Sequence, residues 1–395
     1  MRFVHAADLH LDSPLRSIAL RDPELGTRLH LASRGVLGRI VDTAISRKAD
    51  ALVLAGDVFD RAEPDLAARS YLTAELARLA RKGIPTIVIR GNHDALMDLE
   101  RHGSLGADVH LLDRDRPTVT IRGVDFHGLS FEAPHAHESA LPRYPAPSPG
   151  RRNVGLMHTS LDGAPGHDPY APCGIGNLMG HGFDYWALGH IHSRSQRVGD
   201  DCWVVMPGIP QGRHAREPGL GSVTLVTLGE ITEVEEVPVA RLAFEPVEID
   251  LLGLHDGAAR VDAAAEALGR AARAGVDVAL RVTLSGDGAA AWADDPRGHL
   301  APVAESIEGV YLESVRLGGI DRPEANPLAD SLLRRMREEA AKPGFREAAR
   351  ADLEALRAAL PAEVQGAIDG LLSEEGIEAL LNDGMAEVMA RVGGA

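Results

Sequence analysis

Five short segments of this 395-residue chain carry side chains suited to holding divalent metal ions. They are Asp8-Leu9-His10, Gly56-Asp57-Val58-Phe59-Asp60-Arg61, Gly91-Asn92-His93-Asp94, Met157-His158-Thr159 and Gly189-His190-Ile191-His192. Together they offer carboxylate, amide and imidazole donors and no thiolate. That set suits hard or borderline cations such as manganese, iron or zinc. Two such ions solve a specific problem. A phosphoester repels anionic nucleophiles, and a metal pair roughly 3.5–4 Å apart neutralises it, generates hydroxide near neutral pH and stabilises the leaving oxygen.

The residues allow a division of labour. Asp8 and His10 are alternate residues at a strand end, so both side chains can point to one face, and His190 and His192 repeat that spacing. Asp57, at a strand-to-loop junction, can bridge two ions. Asn92 adds a neutral amide oxygen and His158 a further imidazole. His93, next to Asn92, can stay unligated and protonate a departing alkoxide. Asp94 can orient it. Each segment alone is ordinary, since Gly-Asp is usually a turn and Asp-x-His is usually surface or core. Turn chemistry does not account for five of them in order, each behind a strand.

The elements that must position these groups are legible as apolar runs. Residues 2–7, 51–55, 86–89, 153–156 and 185–188 each read as a strand ending at one of the segments. The donors therefore gather along the carboxyl edge of a sheet, where open α/β sheets place ligands. Helical spacing predicts helices over 33–47 and 64–81, the second opening at Pro64 and ending near Gly83. Later strands are expected over 119–122, 125–129, 203–206, 222–228 and 232–237. The pattern predicts an α/β two-sheet sandwich with flanking helices over residues 1–240. Residues 244–319 read as a small α/β capping domain: strand 246–251, helix 258–274, strand 276–285, helix 302–307 and strand 310–317. Residues 327–395 read as a helical tail, a candidate partner-binding region. Residues 134–152 read as a long surface loop exposing His135 and His137.

Composition narrows the class. The formal net charge is −17, with 41 basic and 58 acidic residues, which argues against a generic nucleic-acid coat but not against a nuclease. Metal ions add local positive charge. Arg16, Arg61, Arg90, Arg151, Arg152, Arg194, Arg197, Arg213 and Arg216 lie in or near the expected edge loops. The two cysteines, Cys173 and Cys202, read as reduced buried thiols rather than a disulfide. No apolar run reaches membrane-spanning length, and Asp8 and Asp12 interrupt any signal-peptide core, so a cytoplasmic protein is expected.

In this order the five segments resemble the calcineurin-like metallophosphoesterase superfamily. Two stretches, His5-Ala6-Ala7-Asp8-Leu9-His10-Leu11-Asp12-Ser13-Pro14 and Pro207-Gly208-Ile209-Pro210-Gln211-Gly212-Arg213-His214, are similar to its SbcD-type DNA repair exonucleases, the YhaO-like branch in particular. The resemblance implies that Asp8, His10 and His192 hold one ion, Asn92, His158 and His190 the other, and Asp57 both. It implies that His93 is the catalytic acid, that the ions are Mn2+, and that Arg213 and His214 touch phosphate or brace the site. The implied partners are DNA and an SMC-like coiled-coil ATPase, with a homodimer also open and no membrane. The expected activity is a metal-dependent DNA exonuclease or endonuclease. Two other readings use the same sequence: a small-substrate phosphodiesterase or phosphatase, and a non-catalytic scaffold binding through 327–395. The intact donor set argues against the scaffold.

Overall fold

A computed structural model describes residues 1–11, 13, 23–60, 65–97, 104–106, 108–133, 135–161, 170–318, 335–336, 338–340, 342–359, 370–373, 376–378, 380–381 and 385. The elements run β1 (Arg2–Ala6), α1 (Pro23–Ser46), β2 (Ala51–Ala55), α2 (Leu66–Ala80), β3 (Thr86–Ile89), β4 (Val109–Leu111), β5 (Thr118–Ile121), β6 (Val124–Gly128) and β7 (Arg152–His158). Then follow α3 (Ile175–Gly180), β8 (Tyr185–Gly189), β9 (Ser195–Val198), β10 (Trp203–Met206), β11 (Ser222–Leu228) and β12 (Thr232–Pro238). Last come β13 (Leu242–Asp250), α4 (Gly257–Ala271), β14 (Asp277–Ser285), α5 (Pro296–Glu305), β15 (Val310–Leu317) and α6 (Pro343–Ala359).

Two six-stranded sheets are ordered β12-β11-β1-β2-β3-β4 and β5-β6-β7-β8-β10-β9, and a three-stranded sheet is ordered β13-β14-β15. Strands β1 to β4 are mutually parallel, as are β6, β7, β8 and β10. Parallel strands buried on both faces read as continuous apolar runs. Accordingly every residue of Ala51–Ala55 (ALVLA) and of Tyr185–Gly189 (YWALG) is buried. Phe3, Val53, Ile87, Phe126, Val154, Leu156 and Tyr185 fill the layer between the large sheets. Burying a Val, Leu or Phe side chain fully is worth roughly 1.5–3 kcal/mol. On the far side of the first sheet, Val36, Leu37, Ile40 and Val41 of α1 meet Leu72, Leu76 and Leu79 of α2. The expected two-sheet α/β sandwich is the observed architecture.

Register sets the height of the edge loops. Ala6 pairs with Leu54, and Leu54 with Val88, so β1, β2 and β3 end nearly level. In the second sheet His158 pairs with Gly189. Helix α1 starts ten residues before the expected 33. Pro23 opens it, and Leu25, Leu29 and Ala32 continue its apolar stripe onto Leu242, Phe244 and Ala279. Pro302, expected to open a helix, lies inside α5. For α2 the N-cap is Asp65, whose side chain accepts from Ala67 N, while the expected start, Pro64, lies outside the described residues. Strand β4 and helix α3 escape a reading by sequence pattern because each is short, and β9 (SQRV) because it is polar and largely exposed.

The chain forms two compact units. The first comprises Met1–Ile249, Val261–Thr283 and Leu300–Arg316, and the second Asp250–Arg260, Leu284–His299 and Leu317–Ala395. Within the first, Arg28 reaches Asp277 at 3.5 Å and lies over the Tyr311 ring at 4.6 Å. Within the second, the Trp292 ring stacks on His299 at 5.5 Å, and Leu353 of α6 is buried with Ile377. Of the expected tail, 327–334 and much of 360–395 lie outside the described residues. Among the described residues no helix is long and apolar enough to cross a membrane. Cys173 and Cys202 are both free and buried. Burial pushes the Cys202 thiol up to about 11, which leaves it protonated and unreactive.

Candidate metal centre

Backbone geometry, rather than strand pleat, aims the donors. Strand β1 ends at Ala6 and β8 at Gly189, so Asp8, His10, His190 and His192 all lie beyond the strands expected to carry them. Asp8, His10, Asp57 and His190 have left-handed backbones, with φ of 56°, 42°, 50° and 101°. Such conformations cost of order 1–3 kcal/mol each at a non-glycine residue and concentrate at functional sites. The loops after β1 and β2 hold each other in that shape. Asp8 N donates to Gly56 O at 3.1 Å, His10 N to Asp57 O at 3.0 Å and Leu11 N to Val58 O at 3.0 Å. Both Asp8 oxygens accept from His190 N, at 3.0 and 3.1 Å, which joins the edge of the first sheet to that of the second.

All seven donor residues expected to hold metal converge here. Ligand atoms of Asp8, His10 and His192 lie within 4.8 Å of one another, as do those of Asp8, Asp57 and His158. His10 Nε2 and His192 Nε2 are 3.2 Å apart. Asn92 Oδ1 lies 3.0 Å from His158 Nε2 and 3.2 Å from His190 Nδ1. Asp57 Oδ2 stands between the two groups, 3.2 Å from His158 Nε2 and 3.8 Å from His10 Nε2. Asp57 Oδ1 accepts from His93 N at 2.9 Å.

The glycines of these segments clear the space. A side chain at Gly56, whose φ is +94°, would put its Cβ 2.5 Å from His158 Nδ1. At Gly91 it would overlap Asp57 Oδ1 and sit 2.7 Å from His158 Nε2. Close approach, beyond turn formation, explains the glycine before Asp57 and before Asn92.

The electrostatics fit a pair of cations. Burial opposes ionisation of Asp57, but His158 and His10 outweigh it and hold the carboxyl well below its usual range. Burial holds Asp8 above its usual range, against the pull of His158 and His192. Burial lowers His10 to about 4, so its ring is neutral near pH 7 and its lone pair is available. The second nitrogens of His192 and His158 are hydrogen-bonded, and that of His10 lies beside a carboxylate. His10 Nδ1 lies 3.2 Å from Asp60 Oδ1, His192 Nδ1 2.7 Å from Glu217 Oε1, and His158 Nδ1 2.9 Å from the Ala55 carbonyl. With its Nδ1 proton on Glu217, His192 turns its Nε2 lone pair to His10 Nε2, 3.2 Å away, where a shared proton or a cation can join the two nitrogens.

Other expectations land differently. Asp94 does not orient His93. Its carboxylate accepts from Gly91 N at 2.7 Å and Val58 N at 2.9 Å, tying two edge loops together while fully buried. The residue facing His93 is Asp60, whose carbonyl lies 2.9 Å from His93 Nδ1. Arg213, expected to touch phosphate or brace the site, packs its guanidinium between Asp60 Oδ1 at 3.2 Å and Glu217 Oε1 at 3.3 Å. His214 is 49% exposed and lines, with His192 and Arg216, a cleft of about 630 Å³. Arg151 and Arg152 sit at the start of β7, the opposite edge, where they pair with Asp125 and Asp184. Arg194 pairs with Glu236 at 3.3 Å, and Arg16 and Arg61 lie outside the described residues. His135 and His137 are exposed as expected. Sequence reasoning passes over Glu217 and Tyr170. Tyr170 stacks on the His190 ring at 5.3 Å. Both come from irregular segments with no strand-end signature.

Comparison with known proteins agrees with this geometry. The sequence profile of the calcineurin-like phosphoesterase family matches residues 1–194. The uncharacterized metallophosphoesterase YhaO of Bacillus subtilis is 30% identical over 324 residues, covering 80% of this chain and 79% of that protein. The chain belongs to the calcineurin-like metallophosphoesterases. This metallophosphoesterase is also 26% identical over 211 residues to the DNA double-strand break repair protein Mre11 of Saccharolobus solfataricus, covering 52% of this chain and 53% of the relative. It is 25% identical over 225 residues to one of the subunits of the nuclease SbcCD of Staphylococcus saprophyticus, covering 49% of this chain and 56% of that protein. The phosphoesterase thus spans about half the length of these two relatives.

Proposed function

We propose that this metallophosphoesterase is a dinuclear, manganese-dependent phosphodiesterase that cuts DNA during repair. The observation that carries the reading is the place of Asp57 Oδ2, within 3.8 Å of imidazoles from both donor groups. Asp8, His10 and His192 would hold one ion and Asn92, His158 and His190 the other, with Asp57 shared between them. Bound there, the ions supply charge that neutralises a phosphodiester and acidifies water. Oxygen and nitrogen donors without sulfur suit manganese.

The remaining steps belong to the protein. His93 is 40% exposed, and its Nδ1 is committed to the Asp60 carbonyl. Its Nε2 is thereby left free to carry a second proton, which the imidazolium gives to the departing alkoxide oxygen, leaving the neutral ring with its proton on Nδ1. Asp94 keeps the loops of Asp57 and Asn92 at a fixed separation. His214 contacts substrate from the cleft beside His192. Residues 244–319 cap the site and 327–395 bind a partner.

The relatives named for DNA double-strand break repair and for the SbcCD nuclease support DNA as substrate. An SMC-like coiled-coil ATPase is the partner that the resemblance to SbcD-type nucleases implies. Two unbridged cysteines support a cytoplasmic location. The test is digestion with Mn2+ of end-labelled duplex DNA, single-stranded DNA and bis-p-nitrophenyl phosphate. Cleavage of DNA together with the small diester is expected. Turnover of the small diester with intact DNA would assign a small-substrate enzyme instead.

A further inference from the structure

The two halves of the candidate metal centre are backed by different chemistry. Behind His10 and His192 stand carboxylates, Asp60 Oδ1 at 3.2 Å and Glu217 Oε1 at 2.7 Å. Behind His158 stands a neutral carbonyl, Ala55 O at 2.9 Å. His190 Nδ1 turns to Asn92, its co-ligand, which is the side that would face the cation. A carboxylate hydrogen-bonded to an imidazole raises the basicity of the ligating nitrogen and fixes the ring. A carbonyl does so less, because it carries no net charge.

Glu217 is itself held rigidly. Its Oε2 accepts from Arg213 N at 2.7 Å, its own N donates to His214 O at 2.9 Å, and its side chain is 6% exposed. Arg213 then closes the circuit. One guanidinium nitrogen reaches Glu217 Oε1 at 3.3 Å and another reaches Asp60 Oδ1 at 3.2 Å. One cation therefore links both carboxylates that back the imidazoles of a single half-site.

We propose that Glu217 and Arg213 are positioning residues for the half-site of Asp8, His10 and His192, and that they make it the tighter of the two cation sites. The proposal rests on the dinuclear reading above. Glu217 fixes the His192 ring with Nε2 toward His10. Arg213 keeps the Asp60 and Glu217 carboxylates at the separation that sets both rings, and does not bind substrate.

The test is a Mn2+ titration of the metal-free full chain, with free Mn2+ followed by electron paramagnetic resonance. Wild type should show one tight and one weaker class of site. Glu217→Gln should weaken the tight class by about 10–100-fold and leave the other unchanged. Arg213→Gln, which keeps Glu217 in place, should weaken the same class by less. Glu236→Gln, a carboxylate in the same cleft that pairs with Arg194, should change neither. Unchanged affinities in both Glu217→Gln and Arg213→Gln, or an equal fall in both classes, would overturn the proposal. Wild-type protein that takes up only one ion would overturn the dinuclear reading with it. Two ions bound with equal affinity by wild type would overturn this inference alone.

Discussion

Replacing His93 by alanine should lower the rate of DNA cleavage by about 10²–10⁴-fold, the usual contribution of a positioned proton donor. The loss should be smaller on bis-p-nitrophenyl phosphate, because nitrophenolate departs readily without a proton and a DNA alkoxide does not. Metal content should stay near the wild-type value, since His93 Nδ1 is turned to the Asp60 carbonyl and only its backbone N meets the Asp57 carboxylate. Steady-state kinetics on both substrates and elemental analysis of the same preparations check this. Equal losses on the two substrates would mark His93 as a structural residue. A loss of metal would mark it as a ligand.

Asp57→Asn should be more damaging. The substitution keeps shape and removes one charge from the only carboxylate oxygen lying within 3.8 Å of both His10 Nε2 and His158 Nε2 among the described residues. Both half-sites lose their shared negative charge at once, so metal affinity should fall by more than the roughly 10–100-fold typical of an outer-sphere change. Activity should fall below detection. The same deficit is readable without catalysis. Wild-type protein should be stabilised by Mn2+, by about 2.7 kcal/mol at a hundredfold excess over Kd, and the variant should show little of that shift in thermal melts. A variant that melts like wild type with and without Mn2+ would remove Asp57 from the shared position.

The donor residues are legible in the sequence because a parallel sheet compresses long sequence distances into one edge. Each strand delivers its ligands within a few residues of its end, and the register of β1, β2 and β3 aligns those ends. What escapes the sequence is what depends on direction. Asp94 follows His93 directly, yet its carboxylate turns back to Gly91 N and across to Val58 N. Nothing in the tetrad Gly91-Asn92-His93-Asp94 specifies that turn. Strand alternation puts Asp8 and His10 together for the wrong reason. Left-handed backbones aim them, and these depend on hydrogen bonds to a loop some fifty residues downstream, such as His10 N to Asp57 O. Glu217 meets His192 across an irregular segment whose shape is set by its own turn, with Glu217 N on His214 O. No period or strand end announces such a contact. The early start of α1 is hidden because its first turns face Leu242 and Phe244 rather than the β1 sheet. The stripe there serves a different partner from the one that Val36, Leu37 and Ile40 serve.

The dinuclear site is tested most directly by anomalous diffraction at the manganese edge from crystals of the full chain grown with excess Mn2+. Two peaks are expected, roughly 3.5–4 Å apart, with an Asp57 carboxylate oxygen between them. One should lie against His10 and His192 and the other against Asn92, His158 and His190. A single peak, or ordered manganese elsewhere with Asp57 turned away from it, would contradict the shared-carboxylate centre.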